Sequence, residues 1–147
     1  MELSQTGGKY ITFQLSGKYF AMPAGKVREM MPMQPVAPWA VKIDGVLGAI
    51  QSRGRVIPLF DLRAELRLKE RASSRQQSLL IVKTHDAYEF GFPVDKVTDL
   101  IHVNHREIRE LTIVGHGRVR SIVDIDALID QERLVAVAFA SRSFSSG

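Results

Sequence analysis

Apolar side chains along this chain fall in short alternating runs separated by turn residues, the pattern of strands that cover one or both faces. Ile11, Phe13 and Leu15 alternate with Thr12 and Gln14, Ser16-Gly17 interrupts, and the alternation resumes from Tyr19 to Met22, which predicts a β-hairpin. The same grammar returns at Leu79 to Lys83, the breaker His85-Asp86, and Tyr88, Phe90 and Phe92 alternating with Glu89 and Gly91. Pro23 and Pro93 end their strands, because a proline nitrogen has no hydrogen to donate to a ladder. Val27 to Met31 and Val97 to Val103 are the strands expected next. Gly45 to Ile50 and Arg55 to Phe60 flank a Ser52-Arg53-Gly54 break, a third hairpin with Arg53 near its tip and Gly54 supplying a positive φ. Asp61 is placed to cap a short helix carrying Leu62, Leu66 and Leu68, and Asp124 or Asp126 does the same before Ala127, Leu128 and Ile129.

The order of these elements is written twice. Phe20, Met22, Pro23, Lys26, Val27, Glu29 and Met30 return 70 residues later as Phe90, Phe92, Pro93, Lys96, Val97, Asp99 and Leu100. Gly54-Arg55-Val56, Leu59, Asp61 and Leu62 return 63 residues later as Gly117-Arg118-Val119, Ile122, Asp124 and Ile125. A residue type found in both copies is explained by a shared fold, whereas one found in a single copy is a better candidate for function. Many short strands, turn glycines and few helices predict an all-β molecule of two small barrels related by the repeat. The expected organisation is a flexible start at 1–8, a first barrel half at 9–71, a joint at 72–77, a second barrel half at 78–140 and a disordered tail at 141–147. Side chains fill barrels of this size, so function is expected on outer surfaces or in the groove between halves.

Composition narrows the chemistry. The chain has no cysteine, which excludes disulfides, thiolate catalysis and Cys-based zinc sites and fits a reducing cytoplasm. Met1 to Tyr10 shows no secretory apolar run, and Leu134 to Ala140 falls far short of the roughly 18 residues a membrane span needs. A formal charge of +4 favours acidic partners, and seven cations against three acids, Asp61, Glu65 and Glu70, lie between Arg53 and Arg75. That run supports an alternative reading as a small basic barrel binding single-stranded nucleic acid, which would need aromatic stacking platforms on the basic face. His102, His105 and His116 could be metal ligands, but a strand places positions three apart on opposite faces, so no metal site is expected. No serine has a nucleophile-elbow context and no phosphate-cradling glycine loop is present, so neither an enzyme activity nor a cofactor is expected.

Arg53 is the strongest candidate site residue. Its counterpart in the second copy is His116, so the fold does not demand arginine, and a hairpin tip would present its five donors to a partner carboxylate. Pro32, Pro35 and Pro38 match a polyproline ligand in spacing but suit a stiff connector better. Trp39 either covers a barrel end or anchors a partner.

Tyr10 to Leu15, Phe20-Ala-Met-Pro23, Val27-Arg-Glu-Met30 and Gly48 to Leu62, with Phe90 to Val97 and Arg118 to Leu128, resemble the CheW-like chemotaxis coupling proteins over about residues 9 to 130. The resemblance implies two five-stranded SH3-like β-barrels with a few short helices, joined by a hydrophobic groove. It also implies an adaptor that binds the cytoplasmic hairpin tip of a methyl-accepting type chemoreceptor and the regulatory domain of a two-component histidine kinase, with no membrane insertion and no nucleic acid. Val27, Glu29, Gly48 and Arg53 fall where members of the family contact receptor or kinase. The chain departs from the family pattern at Gln51-Ser52, at Gly45 where an aromatic is common, and in a short connection between Ile101 and Gly117.

Overall fold

A computed structural model of the chain describes residues 7–39, 41–69 and 75–145, with side chains through position 140. The alternating runs form strands β1 (Gly8–Leu15), β2 (Lys18–Pro23), β3 (Val27–Pro32), β4 (Val46–Ser52) and β5 (Arg55–Phe60), followed by helix α1 (Leu62–Glu65). The second copy gives β6 (Ser78–Lys83), β7 (Glu89–Val94), β8 (Lys96–Val103), β9 (Ile108–Arg109), β10 (Thr112–Ile113), β11 (Arg120–Ile122), α2 (Ile125–Leu128) and α3 (Gln131–Ser145). All three expected hairpins form.

Each copy gives its hairpin to the other's sheet. One sheet has the order β8-β1-β2-β11-β10-β9 and the other β3-β6-β7-β5-β4. The two orders are the same five-strand arrangement with copies interchanged, apart from the extra two-residue β9. Hydrogen bonding repeats as well: parallel pairing of Leu59 with Gly91 is matched by Ile122 with Ala21. The contiguous spans 9–71 and 78–140 are therefore not the spatial units the repeat suggested. Periodicity records which residues are equivalent, but a hairpin with this pattern can pair with the remaining strands of either copy in the same register.

Three apolar clusters follow from this exchange. Tyr10, Ala21, Val103, Ile113 and Ile122 lie within the first sheet, and Ile50, Ile57, Leu59, Leu79 and Ile81 within the second. A larger cluster between them takes Phe13, Leu15, Phe20, Met22, Phe60, Phe90, Phe92 and Val94. The alternate faces of the exchanged hairpins thus reach two different cores, which is why both hairpins are apolar on both sides.

Asp61 caps α1 by accepting from the Arg63 and Ala64 N–H groups, and Asp124 caps α2 through the Asp126 N–H. Helix α1 ends sooner than expected, since Arg67 takes φ 56° and the Leu68 N–H donates to the Arg63 carbonyl at 2.8 Å. Leu66 and Leu68 still pack on the central core. The sequence reading missed α3, because Leu134 to Ala140 is apolar without a period. It buries Leu134, Val137 and Ala140 and continues through Ser145, past the expected start of a disordered tail at 141. Its Arg133 forks onto both Glu65 carboxylate oxygens at 2.7 Å, and that hydrogen bonding to Glu65 raises the guanidinium pKa. Gly45 permits this clamp: a Cβ there would stand 2.8 Å from Arg133 Nη1. Residues 1–6, 72–74 and 146–147, where flexible termini and part of the joint were expected, lie outside the described residues.

Candidate interaction site

The β4–β5 hairpin closes with Ser52 opposite Arg55 and a two-residue turn in which Arg53 and Gly54 take φ 53° and 77°. Two consecutive positive φ values match the twist of the flanking strands and give a tight, primed turn. Arg53 is exposed, and among the described residues its guanidinium has no carboxylate partner.

The base of the hairpin is held by charge. Ser52 Oγ donates to Glu29 Oε1 at 3.3 Å, and Arg55 bridges Glu29 at 3.5 Å and Glu89 through its other nitrogen. Arg28 Nε approaches Glu89 at 3.9 Å. Such half-exposed pairs are individually worth little, but together they fix the strand ends beneath the tip. Glu29 is thereby engaged within the molecule, directly below Arg53. Val27 packs half-buried against the central core.

Gly48 is buried beneath the connector from β3 to β4. Ala37 exchanges two backbone hydrogen bonds of 2.8 Å with Ala49, so the Pro32–Pro38 segment runs along the outer edge of β4. A Cβ at position 48 would overlap the Ala37 carbonyl oxygen and come 2.6 Å from Val36 Cγ1. Gly48 is thus needed for close backbone approach. Connector and hairpin enclose an apolar hollow of about 320 Å³ lined by Pro35, Pro38, Ile50, Gln51 and Val56. Trp39 packs on the central core instead of standing free.

The equivalent tip of the second copy differs. His116 and Gly117 take φ 54° and 83°, yet His116 Nε2 lies 3.1 Å from Glu107 Oε2. The Asn104 backbone N–H, followed by His116, holds the Glu107 carboxyl below its ordinary pKa. Among the described residues no three histidines or carboxylates come together as a metal site. The Arg55 network and the Arg133 clamp were not foreseen, since nothing local marks which charges meet across strands. Arg120 was also missed, although the repeat gave a signal: its counterpart 63 residues earlier is the core residue Ile57.

Two fused small barrels, an outward arginine on a braced tip and an apolar hollow beside it define an interaction module built on surfaces. The chain belongs to the CheW-like domain family, whose sequence profile matches residues 9–136. It is 29% identical over 146 residues to the chemotaxis protein CheW of Bacillus subtilis, covering 87% of this chain and 90% of that protein. The Rhizobium meliloti chemotaxis protein CheW is 26% identical over 144 residues, with coverage of 88% and 92%. The crystal structure of the scaffolding protein TtCheW from Thermoanaerobacter tengcongensis shares the fold, with a TM-score of 0.74 at 18% identity over 85% of this chain and 94% of that one. The paired SH3-like architecture expected from the resemblance is the fold of this chain.

Proposed function

We propose that this chain is a non-enzymatic cytoplasmic adaptor of chemotaxis-type signalling, which couples the hairpin tip of a methyl-accepting chemoreceptor to the regulatory domain of a two-component histidine kinase. Family membership supports the adaptor role. The observation that carries the choice of site is the exposed Arg53 guanidinium on a braced tip, without a carboxylate partner among the described residues, against a counterpart whose side chain is hydrogen-bonded within the molecule. Arg53 would grip a partner carboxylate bidentately, with the adjacent hollow taking an apolar side chain. Glu29 acts here by bracing the tip, Gly48 by shaping the hollow, and Val27 by supporting β3 from the core. Holding two partners at once raises the effective concentration of each for the other, so weak interfaces suffice.

Arg53→Glu is expected to weaken capture of receptor tip or kinase regulatory domain by about tenfold or more, the scale of one charge-assisted bidentate contact. Its melting temperature should match that of wild type, because the side chain has no carboxylate partner among the described residues. Retained wild-type binding would remove Arg53 from the interface. The nucleic-acid reading finds no support in the relatives, and two cations of the basic run have internal partners, Arg55 with Glu29 and Glu89 and Arg63 with Asp95.

A further inference from the structure

The end of the first sheet that corresponds to the braced Arg55 network is built differently. In the second sheet, Arg28 and Arg55 meet two carboxylates, Glu29 and Glu89. By the 70- and 63-residue shifts their counterparts are Thr98, Arg118, Asp99 and Tyr19, so one acid has become an aromatic ring. Arg118 lies 4.0 Å over the Tyr19 ring centroid in place of an ion pair. The core residue Ile57, 1% exposed, has become Arg120, 6% exposed.

Arg120 is a buried cation without an ionic partner among the described residues. Its only hydrogen bonds there are long ones from Nη1, 3.4 Å to the His116 carbonyl and 3.5 Å to that of Arg118. Burial, then the Arg118 charge, lower its pKa, against Asp99, which raises it. With only these two long hydrogen bonds among the described residues, the guanidinium keeps donor capacity for a ligand in the space beside it. Arg120 lines a cavity of about 450 Å³ with Lys96, Asp99, His116, Arg118 and Tyr19. Lys96 has no carboxylate partner among the described residues, and Glu107 engages His116. Lys96, Arg118 and Arg120 set against Asp99 leave two positive charges facing the cavity.

We propose that this cavity binds a phosphate group, with Arg120 and Arg118 as guanidinium donors and Lys96 as the ammonium donor. A phosphate monoester carries between one and a half and two negative charges near neutrality and offers three acceptor oxygens, which match that surplus and a forked donor set. The ligand is either free inorganic phosphate or the phosphate of a small organic ester.

Titration calorimetry on the full chain, at constant ionic strength balanced with chloride, uses inorganic phosphate in one arm and glycerol 2-phosphate in the other. Wild type should show one saturable site, tighter for the ester if an organic phosphate is the ligand and equal in both arms if the free ion is. Lys96→Gln and Arg118→Gln should each weaken binding about tenfold, the scale of one charge-assisted hydrogen bond, while Arg53→Gln leaves it unchanged. Arg120→Ile, which installs the side chain of the equivalent position, should abolish binding and raise the melting temperature in phosphate-free buffer. Absence of saturable binding in wild type, or equal binding by wild type, Lys96→Gln and Arg118→Gln, overturns the proposal. The glutamine variants decide the matter should Arg120→Ile fold poorly.

Discussion

The Arg53-Gly54 and His116-Gly117 tips share a backbone, with φ of 53° and 77° against 54° and 83°, and differ in what their side chains meet. Arg53 has no carboxylate partner among the described residues and stands over a charge-balanced base, whereas His116 is hydrogen-bonded to Glu107 beside a cavity with surplus positive charge. The caps repeat the lesson. Asp61 and Asp124 take φ/ψ of −84°/99° and −86°/99°, yet α1 reaches the opposite copy through Arg63 to Asp95 at 2.9 Å and α2 through Asp126 to Lys26 at 2.8 Å. The polarity of the bridge is reversed between copies, and Lys96, the counterpart of Lys26, is left facing the cavity. Duplication has kept turn and cap geometry, which only a few residue types satisfy, while the long side chains around each tip diverged.

The two copies differ most at Gly48, whose register equivalent is Leu111. Gly48→Ala should cost about 2–3 kcal/mol in urea unfolding, because the connector backbone leaves no space for a Cβ. Leu111→Gly should be near neutral, since Leu111 is 38% exposed and already holds φ 60°, where glycine is unstrained. Equal losses would mean that the connector does not set the difference between the two ends.

The bridge from α2 to Lys26 is sensitive to acid. Burial pushes the Asp126 carboxyl up, but hydrogen bonds from Lys26 and the His85 backbone N–H outweigh it and hold its pKa below the ordinary aspartate value. A depressed folded pKa contributes stability that is complete above the unfolded value near 4 and is lost as pH falls through the folded value. Melting temperature should therefore fall below about pH 4 less steeply in Asp126→Asn than in wild type. Parallel acid limbs would show that the bridge contributes nothing. The smallest effect is expected from exchanging the tips, Arg53→His with His116→Arg. Stability should change by less than about 0.5 kcal/mol, because both turns present the same backbone to an exposed side chain. Partner capture should fall as it does for Arg53→Glu, and a large loss of stability would refute the equivalence of the turns.

Alternation, turn residues and caps are local, so the three hairpins, the two capped helices, the duplication and Arg53 as the unmatched tip residue are legible along the chain. Which copy a hairpin pairs with is a choice between distant segments of equal pattern, and folding alone settles that the hairpins are exchanged. It likewise decided that the unpatterned run from Leu134 is a helix clamped by Arg133, and that Glu29 meets Ser52 and Arg55. The burial of Arg120 belongs to the same class. A charge in a strand reads as solvent-facing from its neighbours in sequence, and its true surroundings exist only once β11 lies beside β2 and the cavity around it has formed.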